Sequence, residues 1–161
     1  MKKLILVRHA KSSWEHNVID HERPLKERGY EDANLVSNYL VEKNIKVDQV
    51  FSSDATRAKT TANIFIDNLK IDKSIVHLVH ELYDFSGQNV IDVIKSADNT
   101  INTLMVFGHN HAITAVANTF GNEYVANVPT SGVVILEFDI DNWADLKTGK
   151  TLMLLFPRDL K

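Results

Sequence analysis

The run Leu4-Ile5-Leu6-Val7, closed at once by Arg8 and His9, constrains this chain more than any other feature. It is short, aliphatic and partly β-branched, and no polar residue interrupts it. Such a run reads as a strand buried on both faces. Strands of that kind belong to sheets covered by helices on both sides. In those folds the side chains just past the carboxyl end of a strand face the ligand crevice. A guanidinium and an imidazole delivered there make a candidate phosphate site. Arginine offers a planar fork of donors to phosphate oxygens, and a neutral histidine can act as nucleophile or base.

The remaining pattern repeats this theme. Strands are expected over 3–7, 47–51, 75–79, 103–107, 132–138 and 151–156. Between them, Ala33, Val36 and Leu40 share one face of a helix over 30–43. Ala58, Ala62, Phe65 and Leu69 form the core stripe of a second helix. Ser52-Ser53-Asp54 reads as the N-cap cluster of that second helix. Residues 89–96 and 111–120 supply two further helices, the latter packing Ile113, Val116, Ala117 and Phe120. Alternating strands and helices imply an α/β fold with a mainly parallel central sheet between two helical layers. The last two strands have no helix between them, which points to an antiparallel edge and a mixed sheet.

The 161 residues fit one domain, 1–161, able to bury a core without staples. A net charge of -3 argues against a general nucleic-acid or anionic-membrane partner, though not against a local basic pocket. No cysteine is present, which rules out thiol nucleophiles, thiolate metal sites and disulfides. The apolar stretch near the start is too short for a signal peptide and Arg8 interrupts it, so the cytoplasm is the expected location.

Three strand ends deliver chemistry of one kind. The first carries Arg8-His9, the second carries Ser52-Ser53 with Arg57 four residues later, and the fourth carries Gly108-His109. If these strands are parallel neighbours, two arginines and two histidines meet at one edge, an arrangement suited to a phosphoryl group. Arg57 would lie in a first helical turn, where free N–H groups also favour an anion.

On these residues the chain resembles the histidine phosphatase superfamily, with its phosphoglycerate-mutase-like fold. Arg8-His9-Ala10 is similar to the family's opening RHG, with alanine for glycine. The segment from Ser53 to Ala62 is similar to its S-x-x-x-R-A-x-x-T-A pattern, and Gly108-His109-Asn110 to its second histidine motif. The chain lacks the large helical insertion of mutases and acid phosphatases between Glu81 and His109. It thereby resembles the short, phosphohistidine phosphatase branch, as do the stretch from His9 to Trp14, the turn Arg23-Pro24-Leu25 and the tail from Phe156 to Leu160.

The resemblance implies that neutral His9 attacks phosphorus and becomes phosphohistidine, which water then hydrolyses. It implies that Arg8, Arg57 and His109 hold the phosphoryl oxygens, and that no metal or other cofactor takes part. Glu81 occupies the place of the family's acid, with Asp84 in the same loop as its rival. Ser12 fits a Ser/Thr position that donates to phosphate, or else bonds its own loop. Glu15 stands where many members have asparagine, and its charge would turn it away from a phosphate. Trp14 either contacts a protein substrate or packs on the loop, and Trp143 reads as a structural anchor. His109 and His111, with His16, His21, His77 and His80 in reserve, lack metal-ligand spacing, so no metal site is expected.

The expected activity is dephosphorylation of phosphohistidine on signalling phosphotransfer proteins. Alternatives are hydrolysis of small phosphate esters, such as sugar phosphates or nucleotides, and a weakly catalytic module that binds phosphoproteins.

Overall fold

A computed structural model describes residues 1–161. Its centre is a six-stranded sheet of β1 (Lys2–Arg8), β2 (Gln49–Ser52), β3 (Val76–Leu78), β4 (Thr103–Gly108), β5 (Val133–Phe138) and β6 (Lys150–Leu155). Across the sheet the order is β3-β2-β4-β1-β5-β6. The first four strands in that order are mutually parallel, and β5 runs antiparallel to both β1 and β6. The expected mixed sheet is therefore present, with the antiparallel pairs at one side.

Period-two side-chain alternation sends successive residues of each central strand into different cores. Leu4 and Leu6 of β1, Leu104 and Val106 of β4, and Val134 and Leu136 of β5 enter one core. Ile5, Val7, Met105, Phe107, Val133 and Ile135 enter the other. The aliphatic runs are unbroken because neither face of these strands meets water.

Four helices form the outer layers: α1 (Glu27–Val41), α2 (Thr56–Leu69), α3 (Gln88–Lys95) and α4 (Ala112–Phe120). Ala33, Val36 and Leu40 of α1 pack with Ala62, Phe65 and Ile66 of α2 over one face. Val90, Val93 and Ile94 of α3 pack with Ile113, Val116, Ala117 and Phe120 of α4 over the other. Trp143 is fully buried and its indole N–H donates to the Ile101 carbonyl at 2.8 Å, so it anchors the polar connection before β6. No helix is long and apolar enough to cross a membrane.

Register brings the chemistry-bearing strand ends to one level. Arg8 lies opposite Gly108, and Ser52 lies opposite Phe107. Beyond the strands, the His9 N–H donates to the Gly108 carbonyl at 3.0 Å and the Ser53 N–H to the Phe107 carbonyl at 3.0 Å. Residues 9, 53 and 109 thus leave three adjacent parallel strands side by side.

Candidate active site

His9 is held in a defined tautomer. Its Nδ1 lies 2.7 Å from the carbonyl oxygen of Ala10, which can only accept, so Nδ1 carries the proton. The lone pair is left on Nε2. The ring is 7% exposed. Desolvation, with Arg57, Arg8 and Arg23 adding to it, pushes its pKa down to about 3 against the opposing Ala10 bond. His9 is therefore neutral at neutral pH, with its Nε2 lone pair unprotonated.

His109 lies beside it, with ring centroids 5.1 Å apart. It is fully buried, and desolvation first, then its coupling to the adjacent His9 imidazole and the Arg57 charge, bring its pKa to about 3. Its Nε2 is 2.8 Å from the Ser53 hydroxyl, and its Nδ1 has no partner within the protein. Ser53 Oγ already accepts from the Ala55 N–H at 3.2 Å. Ser53 thus ties His109 to the loop that leaves β2 and fixes the orientation of its ring beside His9.

Three arginines line the cavity with His9: Arg8, Arg23 and Arg57. Its volume is about 510 Å³, and Ser12, Asn110 and Thr130 are among its other polar walls. Arg8 spends one Nη1 donor on the Val128 carbonyl at 2.9 Å, while its buried Nε has no protein partner. Arg57 stands in the first turn of α2 and is 3% exposed.

Asp20, in the short 3₁₀ turn Asp20–Glu22, sits across these groups. Its carboxylate accepts from Arg57 Nη2 at 3.0 Å, Arg23 Nη1 at 3.0 Å and the Tyr83 hydroxyl at 2.5 Å. Although desolvation opposes it, these bonds hold the carboxyl far below the usual carboxylate range. An internal carboxylate thus occupies donors of two of the three cavity arginines.

The expected residues sort clearly by position. Arg8, His9, Ser12 and Arg57 line the cavity and His109 packs against His9. Ser12 Oγ accepts from Arg23, so this serine also positions an arginine. Glu81 is not brought to them: it is exposed and lines a separate concavity with Phe51, Val79, Asn89 and Asp92. Its rival Asp84 is spent on structure, one carboxylate oxygen accepting from the N–H groups of Gly87, Asn89 and Val90 at the start of α3. Glu15 is exposed and outside the cavity. The expected N-cap cluster before α2 does not cap it. The cap residue is Ala55, because Ser53 turns to His109 and Asp54 accepts from His21 and His80.

No role was read in the sequence for Asp20, Tyr83 or Thr130, and Asn110 was visible only within the Gly108-His109-Asn110 motif. Arg23 was visible only within the Arg23-Pro24-Leu25 turn. Trp14 is 76% exposed and its ring is covered by the Arg23 guanidinium at 3.3 Å, so it both stiffens that arginine and forms part of the rim.

A family model of the histidine phosphatase superfamily, branch 1, matches residues 4–89, more than half of the chain. The chain belongs to the histidine phosphatase superfamily. This histidine phosphatase chain is 31% identical over 161 residues to an uncharacterized protein of Mycobacterium tuberculosis, covering 93% of the one and 98% of the other. Its fold matches the protein histidine phosphatase SixA, solved in complex with tungstate, with a TM-score of 0.82 at 18% identity, covering 99% of both chains. It also matches a phosphoserine phosphatase of Entamoeba histolytica, with a TM-score of 0.63 at 18% identity and 96% of both chains covered. At these identities the two structures establish the common fold and leave the substrate open.

Proposed function

We propose that this chain is a cytoplasmic phosphatase that removes phosphoryl groups from phosphohistidine on proteins, the phosphotransfer domains of signalling relays above all. The observation that carries the reading is the state of His9: proton fixed on Nδ1 by Ala10, lone pair free on Nε2, three arginines around it. In the first step Nε2 attacks phosphorus in line. The bond from phosphorus to the substrate nitrogen breaks, and its electron pair returns to that nitrogen. In the second, water attacks phosphorus, the bond from phosphorus to Nε2 breaks with its electron pair returning to His9 as neutral imidazole, and the water proton leaves on the phosphate released. Arg8, Arg57 and His109 would hold the equatorial oxygens as charge develops.

The acid question favours phosphohistidine over an ester. An alkoxide leaving group needs a proton from the enzyme. Asp20 is the one carboxylate in the cavity wall, and its bonds to Arg57, Arg23 and Tyr83 keep it ionised. A phosphohistidine protonated on its second ring nitrogen departs as neutral imidazole and needs no such acid. The exposed rim residues Trp14 and Phe85 also leave the cavity open to a group carried on a protein surface.

The test is phosphate release from a phosphohistidine-bearing protein with chelator present, comparing wild type with His9→Ala. Release that survives chelation and disappears in the variant supports the reading. Release unchanged by the variant removes His9 as nucleophile. No release by wild type, with turnover of small phosphate esters, transfers the substrate to that class. Binding without turnover of either would make the chain a phosphoprotein-binding module.

A further inference from the structure

We propose that His21, Asp54 and His80 bind one divalent cation of the zinc class, and that the bound cation pins the Asp20 segment across the phosphate cavity. The three residues come from the 3₁₀ turn after Ile19, the loop leaving β2 and the turn following β3. Sequence spacing gives no hint of them as a set, and none lines the cavity that holds His9.

The donor atoms already converge. Asp54 Oδ1 lies 2.8 Å from His21 Nε2, and His80 Nδ1 lies 3.0 Å from each Asp54 oxygen. All three ligand atoms fall within 4.8 Å of one another. Bonds of about 2.0–2.2 Å to a tetrahedral ion place ligand atoms about 3.3 Å apart. The carboxylate-to-nitrogen distances are hydrogen-bond lengths that need to open by only a few tenths of an ångström around an ion. The two imidazoles must close by a further ångström or so, and His80, with its side chain 70% exposed, is free to rotate. Two imidazoles and one carboxylate suit Zn²⁺, Co²⁺ or Ni²⁺, whereas Ca²⁺ and Mg²⁺ take oxygen ligands. Partial exposure leaves room for water at the remaining coordination positions.

The location gives such an ion a consequence. His21 adjoins Asp20, whose carboxylate ties up Arg57 and Arg23. Asp54 comes three residues before Arg57. His80 opens the turn leading to Tyr83, whose hydroxyl donates to Asp20 and whose ring meets the edge of His21 at 4.9 Å. An ion joining His21 to the two loops fastens the Asp20 turn in place. A phosphoryl group must displace that carboxylate, so cation and phosphate oppose each other, each weakening the other by the same factor.

The ligand set stands independently of the phosphatase reading; only the effect on turnover rests on it. Metal-free full-length protein is titrated with Co²⁺ and followed by visible absorption, in wild type, His80→Ala and His21→Gln. The expected result is saturation at one equivalent with bands of nitrogen-ligated Co²⁺, lost in both variants. Equal titrations in all three would overturn the site. With p-nitrophenyl phosphate, Zn²⁺ should raise the wild-type KM about tenfold. His80→Ala should keep the metal-free activity and ignore the ion. Site-specific binding that leaves KM unmoved would refute the link to Asp20. Absence of any phosphatase activity would count against the proposed function, while the Co²⁺ spectra would still decide the site.

Discussion

Asp20→Asn should tighten anion binding in the cavity. In the wild type, Asp20 Oδ2 is 3.0 Å from Arg57 Nη2 and Oδ1 is 3.0 Å from Arg23 Nη1. A unit charge pair about 3 Å apart is worth about 1.4 kcal/mol in water and about 5.5 kcal/mol at an effective dielectric of about 20. The Asp20 side chain is 42% exposed, so screening places the value near the lower figure. Asparagine keeps an acceptor oxygen and nearly the same shape but removes the competing charge. A phosphate entering the variant is spared roughly 1.4 kcal/mol, which is about tenfold in affinity. The assay is the inhibition constant of inorganic phosphate against p-nitrophenyl phosphate turnover, with isothermal titration of phosphate as a direct check. Phosphate should bind the variant about ten times more tightly, and added salt should narrow the gap. Unchanged or weaker binding would refute the reasoning. It would mean that Asp20 holds the two arginines in their productive arrangement instead of competing for them.

Three further outcomes follow from the geometry. The folded-state pKa values of His9 and His109 lie near 3, below the ordinary 6.5, so their contribution to stability is complete above pH 6.5 and is lost as pH falls towards 3. Urea midpoints between pH 7 and 4.5 should therefore fall more steeply in wild type than in His9→Asn, by up to about 1.4 kcal/mol per pH unit; parallel slopes would show that His9 is not buried in its neutral form. Ser53→Ala removes the hydroxyl that holds the His109 ring in place and should lower kcat about tenfold with a smaller change in KM, read from steady-state kinetics. Gly29→Ala should cost about 1–3 kcal/mol in a calorimetric unfolding scan, because its Cβ would stand 2.3 Å from the backbone oxygen of Lys11, where neither chain segment can yield cheaply.

The parts of this molecule that were legible in the sequence are those governed by periodicity or by strand ends. Leu4 to Val7 and Leu104 to Phe107 read as doubly buried strands because both of their faces are core. His9, Ser53 and His109 could be placed together because parallel register brings successive strand ends to one edge. Element ends were less clear: α1 begins at Glu27, with its first turn over the Lys11 backbone, a tertiary contact that no local pattern encodes.

Loop carboxylates were the hardest to assign, since a loop's path follows from what its ends are tied to. Glu81 and Asp84 stand three residues apart in one short segment, and either could have faced the cavity. The structure spends Asp84 on the backbone N–H groups at the start of α3, and Glu81 points into a separate concavity. Tyr83, between them, instead donates its hydroxyl to Asp20. Asp20 itself lies in no recognisable pattern, yet it supplies the carboxylate that meets the arginines. Three fixed cations in a small cavity repel one another, and Arg8 and His9 are both driven down in pKa partly by Arg57. An ionised side chain that relieves this repulsion in the free protein is favoured there even though it competes with the ligand. Residues placed by such long-range charge balance leave no mark at a fixed spacing in the chain. For that reason, on the proposed reading, a family motif locates the groups that would act on phosphate but is silent on the carboxylate that would have to move aside for it.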